Sequence, residues 1–191
     1  MIKKITQQIS ASISVKEAMF DSCIEDIQAA ASLMIDSIRK DGKILWCGNG
    51  GSAADAQHLA TELMGGMTSH ERRPIPSISL TTDSSFLTAW SNDTDFESIF
   101  SRQIQGLGKT GDVLIGISTS GNSENVLAAV KQAKYKELST IVFTGRLGGK
   151  INGISDVTIN IPSEDTQRIQ EAHIMVGQIL CGLIEDDLLD E

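Results

Sequence analysis

Short apolar runs that end in glycine- or serine-rich loops constrain the fold of this chain more than any other feature. The run at 43–47 leads into the loop 48–52, the run at 112–117 leads into the loop 118–123, and a helical pattern follows each loop. A continuous apolar run is typical of a parallel strand buried on both faces. Strands that alternate with helices indicate an α/β fold with a doubly wound parallel sheet.

Hydrophobic periodicity predicts the remaining elements of a single domain, residues 1–191. A helical N-terminal arm, about 1–40, and an apolar C-terminal helix exceed what one small sheet needs and could pack as an inter-subunit bundle. The predicted helices are 5–40, 53–64, 122–136 and 165–189, with another starting after Thr144-Gly145, and the predicted strands are 43–47, 75–80, 112–117, 140–143 and 157–161.

Composition narrows the kinds of partner. The net charge is −9, from 16 basic and 25 acidic residues, and aromatic residues make up only 4%. Such a chain repels nucleic acid, so a bound anion must be held by local geometry. No stretch of 18 apolar residues or apolar leader occurs, and the three scattered cysteines (Cys23, Cys47 and Cys181) lie in apolar segments. We therefore expect a cytoplasmic protein with buried, reduced thiols and no membrane span.

The loop 118–123 has the composition of a phosphate-binding loop. It lies between a predicted strand and a predicted helix, whose N-terminal amides and dipole attract anions. Its hydroxyls add donors, and its glycine allows close approach of the backbone. The alternative is a serine-rich turn that only caps the helix. The flanking strand and helix, together with the second glycine loop, favour phosphate binding. The hydroxyl donors are Ser118, Thr119, Ser120 and Ser123.

A second candidate site follows the loop 48–52, which could also be a tight turn without a ligand. His58 and Glu62 are four residues apart and share one face of the predicted helix. They could share a divalent metal, or Glu62 could act as a general base; the alternative is a solvated helix face. Gln170 and Gln178 can both border one broad face of the last helix, although such residues also serve as packing residues.

Six stretches together resemble the sugar isomerase (SIS) domain family, and within it the subgroup that isomerises sedoheptulose 7-phosphate. The resemblance covers nearly the whole chain and is specific when the stretches are taken jointly. They are 47–63 (CGNGGSAADAQHLATEL), 80–83 (LTTD), 92–93 (ND), 100–103 (FSRQ), 111–126 (GDVLIGISTSGNSENV) and 168–173 (RIQEAH).

The resemblance implies a flavodoxin-like fold and a homotetramer with active sites between subunits. It implies a ketose–aldose isomerisation, through an enediol, that yields D-glycero-D-manno-heptose 7-phosphate for bacterial heptose and lipopolysaccharide precursor synthesis. One zinc ion per subunit is also implied. The phosphate would be bound by the hydroxyls of Ser118, Thr119, Ser120 and Ser123. The sugar would be contacted by Asn49, Gly50, Gly51, Glu62, Asn92, Asp93 and Gln170. Zinc would be bound by His58, Glu62, Gln170 and the residue at position 178, and the catalytic residues would be Glu62 and the residue at position 178.

Two residues depart from the family pattern. Gln178 stands where the family usually has a histidine that is both fourth metal ligand and catalytic partner, and Gly66 stands where it often has an arginine. Glutamine does not titrate near neutral pH and is a poor zinc ligand. His173, five residues away, points elsewhere on the helix. One alternative is a non-catalytic regulator that binds the replication initiator DnaA, which the presence of Gln178 favours and the presence of Glu62 opposes. Another is a phosphosugar sensor that binds ligand and does no chemistry.

Overall fold

A single parallel sheet organises the computed structural model, which describes residues 1–189. Its strands are β1 (Ile44–Gly48), β2 (Ser77–Ser79), β3 (Val113–Ile117), β4 (Ser139–Gly145) and β5 (Val157–Ile161). They are parallel and lie in the order β2-β1-β3-β4-β5. This is the 2-1-3-4-5 order of flavodoxin-like folds, so the predicted fold class is confirmed.

Helices cover both faces of the sheet. They are α1 (Ile2–Ser22), α2 (Ile24–Arg39), α3 (Gly51–Gly65), α4 (Ser84–Asp93), α5 (Ile99–Leu107), α6 (Glu124–Tyr135) and α7 (Thr166–Leu189). Side chains of α1, α2, α3 and α7 pack in one core, and those of α4, α5 and α6 pack in the other. Successive strand residues point to opposite faces, so β1 sends Trp46 to the first core and Cys47 to the second.

The prediction of one helix over 5–40 is wrong in its middle. Helix α1 ends at Ser22 and α2 begins at Ile24, with a break at Cys23, whose φ and ψ are −126° and −14°. The Cys23 thiol is buried and lies 3.5 Å from the carbonyl of Asn160, next to β5. Both helices contribute to the same core, so the apolar pattern runs through the break without marking it.

The predicted helix after Thr144-Gly145 is also wrong. The chain forms only a short 3₁₀ turn there, Gly149–Ile151. Gly148 and Gly149 have φ values of +67° and +60°, which interrupt a right-handed helix. Conversely, α4 and α5 form in a segment that sequence analysis left unassigned. All three cysteines are buried and free, as predicted. In the described range, every helix is too short or too polar to cross a bilayer.

Candidate active site

The two loops singled out in the sequence leave the sheet side by side. Gly48 of β1 pairs with Ile117 of β3, so the chain exits toward Asn49 and toward Ser118 at the same edge. Chain connections diverge between β1 and β3, and such a switch point at the carboxyl ends of parallel strands is where α/β proteins bind ligands. The fold therefore places both loops at one candidate binding edge.

A pair of amides joins these loops. Asn49 Nδ2 donates to Asn125 Oδ1, and Asn125 Nδ2 donates to Asn49 Oδ1, each at 2.8 Å. Asn125 lies in the first turn of α6 and is only 3% exposed. Two reciprocal bonds fix the separation of the loops, while Gly50, Gly51, Ser120 and Asn122 remain exposed. Asn125 was not predicted from the sequence. The signal that could have indicated it is its polar side chain on the apolar, buried face of α6.

The geometry of the hydroxyl-rich loop fits anion binding better than simple capping. Ser123 occupies the N-cap position of α6, but its side chain makes no capping hydrogen bond. Its hydroxyl lies instead 2.9 Å from the hydroxyl of Ser118. Because the serine does not consume the helix amides, they and the helix dipole are directed at the space beside the loop.

The chain after β4 supports the other side of this loop. The Gly145 N–H donates to the Thr119 carbonyl at 3.0 Å, and the exposed Ser120 hydroxyl accepts from the Asn122 N–H at 3.1 Å. Gly121 has a φ of +64°, and a Cβ there would lie 1.9 Å from the Gly148 carbonyl oxygen. This glycine therefore allows chain packing rather than approach to a ligand. A cavity of about 460 Å³ opens here, lined in part by Thr119 and Ser120.

A second cluster forms where α7 crosses α3. The crossing is close because Gly177 has no side chain: a Cβ there would lie 2.3 Å from a methyl group of Leu59. The neighbouring residues meet as a result. Gln178 Nε2 lies 2.7 Å from His58 Nε2, which in turn lies 3.0 Å from Glu62 Oε1. The side chain of His58 is 51% exposed and that of Glu62 is 22% exposed, so the cluster is open to a ligand.

Gln178 and Glu62 both approach the Nε2 atom of His58. One ring nitrogen carries at most one proton, so His58 Nε2 cannot donate to Glu62 and also accept from Gln178. His58 and Glu62 are good zinc donors, whereas Gln178 can offer only an amide oxygen, which zinc binds less well. Within residues 1–189, no cluster of three His, Cys, Asp or Glu side chains could hold a metal. His58 and Glu62 therefore supply two strong donors and Gln178 one weak donor, which is an incomplete zinc site within a single copy.

The remaining predicted site residues lie apart from this cluster. Gln170 Nε2 lies 3.0 Å from the position that a Cβ on Gly51 would occupy, so it belongs with the loop 48–52 and not with His58. Gly50, at the N-cap of α3, is exposed in the same loop. Asn92 and Asp93 are exposed at the end of α4, where Asn92 Nδ2 donates to Asp93 Oδ1 at 2.8 Å. A single copy thus separates the predicted zinc ligands into two groups.

The structure explains Gly66. This residue ends α3 with a φ of +104°, and a Cβ would lie 2.3 Å from the Ser69 carbonyl oxygen. An arginine side chain at this position is therefore incompatible with the observed loop.

His173 is not available to replace the missing histidine. It is 1% exposed, its ring packs 5.8 Å from that of Phe143, and its Nε2–H donates to the Thr144 carbonyl at 3.1 Å. Burial lowers the pKa of His173 to about 4, although its hydrogen bond to Thr144 opposes the shift. The imidazole is therefore a neutral core residue.

The buried imidazole makes stability depend on pH. The pKa of His173 in the folded protein, about 4, lies below the ordinary value of 6.5. The contribution of the neutral imidazole to the free energy of unfolding is therefore complete above pH 6.5 and is lost as pH falls toward 4. We expect the free energy of unfolding of the wild type to fall by about 2 kcal/mol more than that of His173→Gln between pH 7 and pH 5. Urea unfolding at both pH values measures this. Equal losses in the two proteins would contradict a neutral, buried His173.

The strand order and the two loops at the β1–β3 switch point are those of a domain of the SIS class, and a family model described as SIS domain matches residues 8–145. The chain is 48% identical to the phosphoheptose isomerase of Aquifex aeolicus over 97% of each chain. It is 44% identical to that of Sulfurimonas denitrificans over 100% of this chain and 98% of the relative. The chain therefore belongs to the phosphoheptose isomerase family of SIS domain proteins.

Solved structures agree with this assignment. The structure of phosphoheptose isomerase GmhA from Neisseria gonorrhoeae matches with a TM-score of 0.91 at 44% identity, covering 96% of this chain and 98% of that one. A phosphoheptose isomerase from Francisella tularensis matches with a TM-score of 0.93 at 36% identity, covering 97% and 98%.

Proposed function

We propose that this chain isomerises sedoheptulose 7-phosphate to D-glycero-D-manno-heptose 7-phosphate, the aldose that supplies bacterial heptose and lipopolysaccharide precursors. The observation that carries the proposal is the Glu62 carboxylate, held 3.0 Å from His58 in an exposed cluster of a chain that belongs to the phosphoheptose isomerase family. The loop at the β1–β3 switch point would bind the phosphate. Its hydroxyls and helix amides supply donors without a basic side chain, which suits a chain with a net charge of −9.

The reaction moves one proton between adjacent carbons. Glu62 takes the proton from C1 of the ketose, an enediol forms, and the proton returns at C2 while the oxygen proton moves from O1 to O2. Gln178 can donate an N–H to a developing negative oxygen but cannot deliver a proton. This division of labour assigns acid–base work to Glu62 and orientation to Gln178.

We further propose that His58 and Glu62 hold a zinc ion, with Gln178 as a weak third ligand. When bound there, zinc would polarise the substrate carbonyl. The weak third ligand lowers affinity, so the purified protein should carry zinc only when the metal is in excess.

Distance along α3 supports an active site shared between copies. Gly51 lies beside the binding edge, and the helical rise places Glu62 about 16 Å further along the axis. The six carbon–carbon bonds of the sugar, about 1.5 Å each, span at most about 9 Å, which is shorter than this separation. We therefore propose that the loop of one copy works with Glu62 of another. The Gln170 of a second copy would then join His58 and Glu62.

An exposed apolar stripe supplies a surface for that association. Ile5, Ile9 and Ile13 recur every four residues along α1 and are 53%, 57% and 51% exposed. Phe20 and Ile24, which are 74% and 51% exposed, continue the stripe toward α7. A monomer seldom leaves such a stripe in water. It supports the proposed homotetramer, in which helical arms pack as an inter-subunit bundle.

One assay tests the activity directly. Purified protein is incubated with sedoheptulose 7-phosphate, with and without added zinc, and the heptose phosphate is followed over time. Formation of the aldose supports the proposal. Absence of turnover under every metal condition would overturn it and favour a phosphosugar sensor.

Replacing Gln178 with histidine should strengthen both zinc binding and turnover. An imidazole adds a strong ligand, so zinc affinity should rise by at least about 10–100-fold, the scale on which even supporting residues affect metal sites. It also adds a group that titrates near neutral pH, so kcat should rise by about 10²-fold. Competition with a chromophoric chelator and steady-state kinetics measure the two effects. Gln178→Asn is the matched control and should gain neither; an unchanged zinc affinity in Gln178→His would contradict the ligand assignment.

A further inference from the structure

A buried carboxylate on α7 holds the loop that follows α3. Glu185 is 1% exposed and accepts hydrogen bonds from the N–H groups of Met67 at 2.8 Å, Thr68 at 2.6 Å and Ser69 at 3.0 Å. The Thr68 hydroxyl also donates to it. Burial favours the neutral acid, but these bonds and Arg72 outweigh it and hold the pKa of Glu185 well below its usual range. Glu185 is therefore an ionised carboxylate whose charge is fully compensated.

Arg72 extends this network to the residue proposed as the base. Its side chain is 3% exposed, and its Nε donates to Glu185 at 2.6 Å. Its Nη2 donates to the main-chain carbonyl of Glu62 at 2.9 Å. The same carbonyl accepts the Gly66 N–H at 3.0 Å. The arginine bond therefore adds to a helical bond on the same carbonyl, and together they fix the turn that carries Glu62.

The network reaches the other half of the cluster through α7. Glu185 lies seven residues beyond Gln178, which is two helical turns on nearly the same face. One end of the network is thus fixed to the helix of Gln178, and the other to the last turn of α3. The side chains of Arg72 and Glu185 are buried, whereas those of His58 and Glu62 are open to solvent.

We infer that Arg72 and Glu185 are positioning residues that set the separation of Glu62 and Gln178 across the α3–α7 crossing. This inference rests on the proposed isomerase function. The network touches neither the substrate-binding loops nor the side-chain carboxylate of Glu62. Its loss should therefore move the base relative to bound substrate without weakening the hold on the phosphate.

The test compares Glu185→Gln and Arg72→Lys with a control on the same helix as Glu185, Asp187→Asn. The control alters a partly exposed ion pair between Asp187 and Arg39 of α2. We expect kcat to fall by at least about tenfold in the first two variants, because small misplacements of a reacting group are costly. KM should stay within about twofold, since the phosphate loop is untouched, and Asp187→Asn should match the wild type. Circular dichroism and melting temperatures establish that each variant is folded.

Each outcome separates the two hypotheses. A wild type that turns over substrate, with folded variants of unchanged kcat, would overturn the positioning role alone. A fall in kcat matched by an equal rise in KM would indicate a general distortion and also overturn it. Two variants that both fail to fold would show the network to be structural only. A wild type without turnover under any metal condition would remove the proposed function, and the inference with it.

Discussion

Replacing Glu62 with glutamine should lower kcat by about 10²–10⁴-fold, the contribution of a positioned acid–base group. The amide has the shape of the carboxylate but cannot accept the C1 proton. Glu62 is partly exposed at the end of α3, and its main-chain carbonyl keeps its bonds to Arg72 and Gly66. The fold should therefore be unaffected. Single-turnover kinetics with sedoheptulose 7-phosphate, together with a melting temperature, measure both expectations.

The phosphate site provides an internal check on this variant. Because the loop 118–123 belongs to a different part of the chain, affinity for inorganic phosphate should remain that of the wild type. Glu71→Gln, an exposed carboxylate in the loop after α3, is the matched control and should keep full activity. A Glu62→Gln protein that retains more than a tenth of the wild-type kcat would exclude Glu62 as the base.

The sheet could be predicted because a buried parallel strand has a local signal, a short run of apolar residues. The strands Ile44–Gly48 and Val113–Ile117 are apolar and buried at every position because both faces of the sheet are covered. The break at Cys23 could not be predicted, because the residues on both sides face the same core. Helix α4 was missed, although Asp83 at its N-cap, which accepts from the Phe86 N–H at 2.9 Å, was a usable signal.

In the candidate site, too, contacts within one segment could be predicted from the sequence, and contacts between distant segments could not. Spacing alone placed His58 and Glu62 on one face of a helix. Gln178 joins them only because Gly177 admits Leu59 at the crossing of two helices, a contact between segments far apart in sequence. The pairing of Asn49 with Asn125 likewise depends on the register of β1 with β3. The hydrophobic periodicity of a single segment does not predict contacts of this kind between distant residues.

Replacing Ser120 and Ser123 together with alanine should lower kcat/KM by about 10²–10⁴-fold, because each hydroxyl bonded to a charged group contributes about 1.5–3 kcal/mol. The Ser123 hydroxyl makes no capping bond to α6, so its removal should cost little stability. Isothermal titration with inorganic phosphate and steady-state kinetics measure the loss. Ser91→Ala, whose hydroxyl bonds within α4, is the control. Unchanged phosphate affinity in the double variant would count against this loop as the phosphate site.

The same double variant tests whether sites are shared between copies. Glu62→Gln lacks the base but keeps the loop, whereas Ser120→Ala/Ser123→Ala lacks the loop but keeps the base. If the loop of one copy works with Glu62 of another, co-expression of the two inactive chains should restore about a quarter of the sites. When copies pair at random, about half of the sites receive an intact loop, and about half of those also receive an intact base. If both elements of a site came from one chain, every mixed oligomer would stay inactive. Activity regained on mixing therefore places the isomerisation at the contact between copies, where the 16 Å or so along α3 no longer has to be spanned by the sugar.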